Sequence, residues 1–452
     1  MSAIKNIFRI NHTRKIFLLK VGVGVCITIL VSSSGYYAYK YFSEEKTEVA
    51  VYQTPEEKDV YVRFVMEVYD SISKNYWAKV GDEDMAKLFQ LSVQKATNQA
   101  TLPELITNNR EGVSKMISAS ASSISGTSSK RQMMVDIINV AMYNLEPVGR
   151  NGLYSEKQEV ALRQNVSNIN KEKDLYEDLG VEKGAPVEVV EKAYKEKEVV
   201  LAKSTNPEAI EELKKITYAR KVLTDENNKK LYDESQIEPT ISGKIFGSTL
   251  YLSISKISPT TLREFGTIIE KANATSQLDS MIIDLRGNIG GALDFLQVFL
   301  GAFIGDKQFA FDLFHQDEYQ VQRTTIPKFE PLSRYKDMVI LTDSMTQSTA
   351  ELTAAVFKRM KLAIVVGETT RGWGTIENTY PIKTQMDEGE KFSLFLVNSL
   401  TLRDDNIPIE GRGVTPDIDI QKVSFKNELR EMIRNGSLLK TVEERIKSAP
   451  LR

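Results

Sequence analysis

The chain is 452 residues long, with 41% hydrophobic and 27% charged side chains and a net charge of -2. That length suggests about three domains of ordinary size. The balance is globular, which excludes collagen-like, low-complexity and disulfide-scaffold classes. The near-neutral charge argues against nucleic acid as a partner. A single cysteine, Cys26, excludes an internal disulfide and a cysteine-cluster metal site. Two histidines, His12 and His315, leave almost no room for a zinc site or a Ser-His-Asp triad.

Val21 to Tyr39 is a run of nineteen uncharged residues, long enough to cross a hydrocarbon core of about 30 Å as a helix. Lys5, Arg9, Arg14, Lys15 and Lys20 precede it with no acidic residue, so the positive-inside rule keeps residues 1–20 in the cytoplasm and places the bulk outside the cell membrane. The expected organisation is a cytoplasmic segment (1–20) followed by a single transmembrane helix (21–39). Tyr36, Tyr37, Tyr39 and Tyr41 suit its outer interface. A cleaved leader is the other reading, because Ser32-Ser33-Ser34 offers small residues for processing. Cys26 sits mid-span behind Val25, a poor setting for lipid attachment, and reads as an apolar filler.

Residues 47–165 read as a helical region, from the helical spacing of Val60, Phe64, Val65, Val68 and Tyr69 and of Met133 to Leu145. The Ser-rich stretch Ser118 to Ser129 is expected to be an exposed loop or linker. From Leu175 to Tyr232 the composition turns strongly charged and helical. After Pro239, short β-branched runs (Leu250 to Ile254, Met281 to Ile283, Val339 to Leu341, Ile364 to Val366) alternate with helical patterns, which argues α/β with parallel strands over residues 240–425. Residues 426–452, Asn427 to Lys447 above all, are expected to form a helix packed on that domain. Phe309 to Arg323 reads as a strand pair, and His315 within it as a strand or surface residue rather than a base.

Segment 173–235 resembles a J-domain. Asp174-Leu175-Tyr176-Glu177-Asp178-Leu179-Gly180-Val181 matches the opening helix and turn. Lys192-Ala193-Tyr194-Lys195 matches the second helix, and Tyr218 to Asp225 with Leu231-Tyr232-Asp233 matches the third helix and closing turn. The His-Pro-Asp loop that contacts a chaperone ATPase is replaced by Ala202-Lys203-Ser204. The resemblance therefore implies an inserted all-α module that binds an unknown partner or acts as a spacer, rather than an exported co-chaperone.

Four segments carry the chemistry. In Ile282-Ile283-Asp284-Leu285-Arg286-Gly287-Asn288-Ile289-Gly290-Gly291 a buried strand enters a glycine-rich turn before an amphipathic helix, a place where backbone N–H groups favour a developing anion. A nucleotide phosphate loop has the same strand-turn-helix form, but the Gly-x-Gly-x-x-Gly spacing and a Walker lysine are missing. Val339 to Asp343, then Ser344 to Ser348, lead into a helix from Thr349 to Met360, so Ser348 stands at a helix N-terminus where a nucleophile would face backbone donors. Ser348-Thr349-Ala350-Glu351 is equally a capping box, and from this segment alone the cap is the simpler explanation. The third segment is Ala363 to Thr375, a strand into another glycine turn. The fourth is Ile409-Glu410-Gly411-Arg412-Gly413-Val414-Thr415-Pro416-Asp417-Ile418.

In this order and spacing, the four segments resemble the C-terminal processing (tail-specific) serine peptidases. The first matches that family's Asp-Leu-Arg-x-Asn-x-Gly-Gly, the second its Ser-Ala-Ser-Glu-like nucleophile segment, the fourth its Gly-x-Gly-Val-x-Pro-Asp. Val68-Tyr69-Asp70-Ser71-Ile72 and Asn75-Tyr76-Trp77 resemble its N-terminal helical region, and the J-like module stands where many members carry a PDZ domain. The resemblance implies an α/β, crotonase-like protease domain acting on protein or peptide C-terminal tails, without metal or organic cofactor. Ser348 takes the nucleophile position, and the N–H groups of Thr349 and of Gly290 or Gly291 are the implied oxyanion donors. The family's lysine base falls in the third segment, where this chain has Trp373; its glutamine four residues later is Glu377. An indole accepts no proton, and Arg371 does not deprotonate at usable pH. A related branch uses histidine and glutamate, and Glu410 could match that glutamate. Three substitutes for the lysine are open: Lys358 or Lys361 from the helix end, Glu377 if burial raises its pKa, or a group from a partner. Without any of them, the implied alternative is a pseudoprotease that binds tails and recruits a partner through the J-like module.

Overall fold

The computed structural model describes residues 52–169, 174–203, 206–274, 277–387 and 390–451. The predicted span 21–39, with Cys26 and His12, lies outside them. Among the described residues no helix is long and apolar enough to cross a membrane.

The helical region holds α1 (Val60–Asn75), α2 (Asp82–Ala96), α3 (Arg110–Ser122) and α4 (Thr127–Tyr143). The Asp59 carboxylate caps α1 by accepting from the Tyr61 N–H at 2.8 Å. The buried face of α1, from Val62 to Ile72, packs with Met85, Phe89, Ile117, Met134 and Ile138 of the other three helices. Contrary to expectation, Ser118 to Ser129 is no linker: α3 runs to Ser122 and α4 starts at Thr127. The serines fit a helix because their hydroxyls bond back to carbonyls four residues earlier, Ser120 to Met116 at 2.9 Å and Ser122 to Ser118 at 2.8 Å. Buried Ser114, Ser120 and Ala121 are small enough to let the neighbouring helices approach.

Next come β1 (Gly152–Ser155) and α5 (Glu156–Val166). Helices α6 (Leu175–Leu179), α7 (Val187–Leu201), α8 (Pro207–Thr224) and α9 (Glu226–Ser235) then enclose a core of their own around Tyr176, Val190, Tyr194, Ile216, Val222 and Tyr232. This all-α segment is tied to the following unit by Tyr218, whose hydroxyl donates to Glu238 Oε2 at 2.6 Å, and by Lys271, 3.6 Å from Asp225.

The α/β unit runs through β2 (Ile241–Phe246), β3 (Thr249–Ile254), α10 (Thr261–Asn273), β4 (Ser280–Asp284), α11 (Asp294–Ile304), β5 (Phe309–His315) and β6 (Glu318–Arg323). It continues with β7 (Asp337–Thr342), α12 (Thr349–Arg359), β8 (Ile364–Gly367), β9 (Thr375–Pro381), β10 (Phe392–Thr401) and β11 (Ile418–Asp419). Its six-stranded sheet has the order β11-β8-β7-β4-β3-β2 and is parallel except for the β2–β3 hairpin. Parallel strands need both faces covered. Phe265, Phe299 and Phe357 of α10, α11 and α12 cover one face. Leu429, Leu438 and Val442 of α13 (Phe425–Met432) and α14 (Gly436–Arg445) cover the other. The expected single C-terminal helix is thus two. The Asn435 side chain breaks it, accepting from the N–H groups of Ser437 and Leu438, both at 3.1 Å, as the cap of α14.

A second sheet orders β1-β10-β5-β6, with β9 also on β10. Residues 152–155 of the N-terminal region therefore complete a sheet of the C-terminal unit, with Leu153 opposite Leu394, so the expected boundaries at 165 and 240 do not separate independent bodies. The α1–α4 core closes on Leu394, Leu396 and Val397 of β10. Phe309 to Arg323 is the expected strand pair.

Candidate active site

The turns of the first three segments leave the carboxyl ends of β4, β7 and β8, which are neighbours in the sheet, so one edge of the molecule collects all of them. This is where open α/β sheets place ligands. The turns are stitched together by side chains from their own segments. Asp343 Oδ1 accepts from the Gly287 N–H (2.9 Å) and the Met345 N–H (3.0 Å), and the Gln347 N–H donates to the Asn288 carbonyl at 2.8 Å. Asp284, fully buried, accepts from Arg286 and from the Tyr251 hydroxyl at 2.5 Å, and Arg286 reaches on to the Ser448 carbonyl at 3.0 Å. The Asp-Leu-Arg portion of the first segment is thus a structural clamp on the C-terminal tail.

Ser348 has φ 58° and ψ -127°, a left-handed conformation unlike the extended backbone of an ordinary N-cap serine. For a residue with a Cβ this costs on the order of 1–3 kcal/mol and needs neighbours that enforce it. Its N–H is fixed by Glu351 Oε2 at 2.8 Å, while the Glu351 N–H goes to the Ser348 carbonyl at 2.8 Å. Ser348 and Glu351 stand in the capping-box arrangement, the Ser348 hydroxyl oxygen facing the Glu351 N–H and the Glu351 carboxylate accepting from the Ser348 N–H. Its oxygen thus serves the cap, while its O–H proton has no acceptor among the described residues. Gly290 lies against it: a Cβ there would sit 2.6 Å from Ser348 Cβ and 2.9 Å from the Thr349 nitrogen.

Of the implied oxyanion donors, Gly290 is spent, because its N–H donates to Asn288 Oδ1 at 2.8 Å. The N–H groups of Gly291 and Thr349 have no acceptor among the described residues. Gly291 is held in place by the Thr349 hydroxyl, which donates to its carbonyl at 2.9 Å. Of the implied donors, Gly291 and Thr349 are therefore the two left without an acceptor among the described residues.

Glu351 does more than the capping box in its sequence suggests. Fully buried, it takes four donors: the Ser348 N–H (2.8 Å) and Trp373 N–H (2.8 Å) on Oε2, the Gly372 N–H (2.7 Å) and Thr370 hydroxyl (2.5 Å) on Oε1. It thereby joins the Ser348 turn to the glycine turn after β8, and one oxygen atom holds the amides of both Ser348 and Trp373. Burial raises its pKa against the pull of these donors.

Trp373 springs from that turn. Its ring lies under the Arg150 guanidinium, 3.2 Å from the centroid, and its Nε1–H donates to Glu377 Oε1 at 3.0 Å. Glu377 also accepts from the Thr375 hydroxyl at 2.5 Å, and burial raises its pKa. Glu410 faces Arg150 at 3.0 Å and accepts from the Gly374 N–H at 2.7 Å, so it anchors the turn. Arg150, from the loop before β1, carried no sequence signal, because nothing local to Gly149-Arg150-Asn151 points at a turn 223 residues later.

Other candidates lie elsewhere. Lys358 is ten residues along α12 from Ser348, about 15 Å at the helical rise, with its ammonium on the Thr415 carbonyl (2.8 Å), Asp404 (3.4 Å) and Asp417 (3.7 Å). Lys361 is exposed beyond the helix end. Neither reaches the serine, because the helix that presents Ser348 at one end carries both lysines at the other. Lys358→Ala is accordingly expected to leave Ser348 reactivity toward a fluorophosphonate within about twofold of the parent, since no contact links the two ends. Arg371 is exposed and contributes its N–H to the Thr346 carbonyl at 3.0 Å. His315 bonds the Asn398 carbonyl at 2.6 Å, beside the end of α1, and shares no partner with the serine network.

Residues 248–420 match peptidase family S41. The chain is 26% identical to carboxy-terminal processing protease CtpB of Bacillus subtilis (strain 168) over 39% of its length and 34% of that protein. It is 24% identical to the carboxy-terminal-processing protease of Bartonella bacilliformis over 40% of each. The alignments thus span about a third to two fifths of these relatives. Among solved structures, the photosystem II D1 C-terminal processing protease is similar at 13% identity, over 81% of this chain and 93% of that one, with a TM-score of 0.46. The segment from β3 to β11, which carries the turns after β4, β7 and β8, thus has the sequence pattern of peptidase family S41.

Proposed function

We propose that this chain is a serine peptidase of the carboxy-terminal processing type, anchored in the cell membrane by residues 21–39 and acting on the C-terminal tails of exported proteins. The observation that carries the reading is Ser348: a left-handed serine beside two N–H donors, Gly291 and Thr349, that have no acceptor among the described residues. Those donors are what a tetrahedral oxyanion needs. Ser348 Oγ attacks the scissile carbonyl, the developing oxyanion takes the two N–H groups, and Glu377 accepts the serine proton in place of the family's lysine. A carboxylate whose pKa is raised by burial is a better base than an ordinary one. The module 173–235 serves as a binding or spacer element for a protein partner.

Fluorophosphonate labelling of the purified full chain tests this. Labelling is expected in the parent, abolished in Ser348→Ala and slowed about 10²-fold or more in Glu377→Gln. Because the carboxyl pKa is raised, the base is lost at a higher pH than an ordinary glutamate would be. The rate should therefore fall as pH drops through a region above the usual carboxylate value of about 4.3, and Glu377→Gln should flatten that limb. Unchanged labelling in Ser348→Ala overturns the reading.

A second reading has its own observation. Trp373 fills the base position and is tied on both sides, by Arg150 and by Glu377. That arrangement suits a protein that binds apolar tails without cutting them. On this reading a folded parent takes up no probe, and Trp373→Ala weakens binding of an apolar peptide about tenfold, as expected for loss of a large aromatic contact.

A further inference from the structure

Strand β6 is the outer strand of the second sheet. It is joined to β5 by the two-residue turn Gln316-Asp317, with φ 47° and 67°, as a type I′ hairpin requires. In such a hairpin the closing pair, here His315 and Glu318, is hydrogen-bonded. The backbone groups of Glu318, Gln320 and Gln322 therefore face β5, while those of Tyr319, Val321 and Arg323 point outward. The strand is exposed along almost its whole length, and its two large apolar side chains, Tyr319 and Val321, are 61% and 51% exposed. Edge strands are usually blunted by proline, bulges or covering loops; the irregularity of this pair falls on β5, between Phe309 and Phe311, and among the described residues the outer side of β6 meets no other strand.

We propose that β6 is where two copies of this chain associate, as a two-fold dimer whose sheet continues across the strand. Antiparallel pairing sets outward residues against outward residues, which leaves two centred registers, with Gln320 or Val321 opposite itself. With Gln320 on the axis, Tyr319 faces Val321 of the second copy and Val321 faces Tyr319, an aromatic with a β-branched side chain twice over. Asp317 then faces Arg323, also twice. Both are exposed; Asp317 makes no ion pair among the described residues, and Arg323 makes only a 3.4 Å contact to the Lys307 carbonyl. With Val321 on the axis these opposite charges no longer meet, and Tyr319 faces Arg323. Charge complementarity thus selects Gln320. One added strand buries well under the roughly 1,000 Å² of a permanent interface, so the dimer is weak and depends on concentration.

Disulfide trapping reads both contact and register. In the full chain carrying Cys26→Ser, Gln320→Cys places two cysteines across a non-hydrogen-bonded pair, with Cα atoms about 4.5 Å apart, within disulfide range. Glu318→Cys places them about 13 Å apart, four residues out of register. Mild oxidation at about 10–100 µM protein should give a covalent dimer from Gln320→Cys and at least tenfold less from Glu318→Cys. Adding Val321→Pro removes an outward N–H without touching the β5 pairing, and should lower the Gln320→Cys yield about tenfold. A monomeric Gln320→Cys product, equal yields from both cysteine positions, or a yield indifferent to Val321→Pro would each overturn the proposal.

Discussion

Replacing Trp373 by lysine together with Glu377→Gln is expected to raise hydrolysis of an apolar peptide about 10²–10⁴-fold over Glu377→Gln alone, the contribution of a well-placed general base. The geometry favours the substitution. Glu351 Oε2 holds the Ser348 and Trp373 amides together, so a side chain at 373 starts from the turn beside the nucleophile. A lysine there would inherit the Arg150 guanidinium that now lies 3.2 Å from the indole centroid. A neighbouring cation and burial both lower an ammonium pKa, which is what a neutral base needs. Glu377 opposes this, since a carboxylate next to the new ammonium would pair with it and keep it charged. Trp373→Lys alone should therefore gain less than the double variant. The measurement is kcat/KM on one apolar peptide for the parent, Glu377→Gln, Trp373→Lys and the double variant. A folded double variant with no gain would mean that the nucleophile turn cannot support acylation even with a base beside it.

Glu351→Ala is expected to cost about 3–5 kcal/mol of stability, because it leaves three backbone N–H groups and one hydroxyl without an acceptor inside the protein. The loss should not be confined to stability. The same carboxylate enforces the left-handed Ser348, and without it the serine can relax to the extended conformation of an ordinary cap. Glu351→Gln should fall between the two. Its oxygen can keep the Ser348 and Trp373 N–H groups, its amide then faces the Gly372 N–H, and only the Thr370 hydroxyl can rotate to accept. Guanidinium unfolding of the two variants, with fluorophosphonate uptake by the folded fraction, checks both effects. Equal stability of parent and Glu351→Ala would show that water replaces the carboxylate at no cost.

The segments that carry local pattern were legible before any coordinates. The buried runs Met281 to Ile283 and Val339 to Leu341 are strands because parallel strands covered on both faces read as unbroken apolar stretches. Ser348 followed by a helix was legible for the same reason: a strand, a short loop and an amphipathic helix are each defined within about a dozen residues. Composition misled at Ser118 to Ser129. Serine frequency is a turn signal only while the hydroxyls lack helix carbonyls to bond, and in α3 they find them. The break at Asn435 is a cap whose signal is masked by the longer periodic run around it.

What the tertiary structure alone decided is which groups are free and which are spent. Spacing could not distinguish Gly290 from Gly291 as an oxyanion donor, because the distinction is a single hydrogen bond from Gly290 to Asn288. Nor could it tell that Lys358 is committed to Asp404 and Asp417 at the wrong end of α12, or that Arg150 reaches across the chain to hold Trp373 and Glu410. The sequence by itself determined the order of the elements, the glycine turns and the absence of lysine at 373, all of which are properties of adjacent residues. The donors, acceptors and charges that make the turns a site are shared between residues far apart in the chain. Such sharing has no local signature; it exists only once the sheet has brought the carboxyl ends of β4, β7 and β8 side by side.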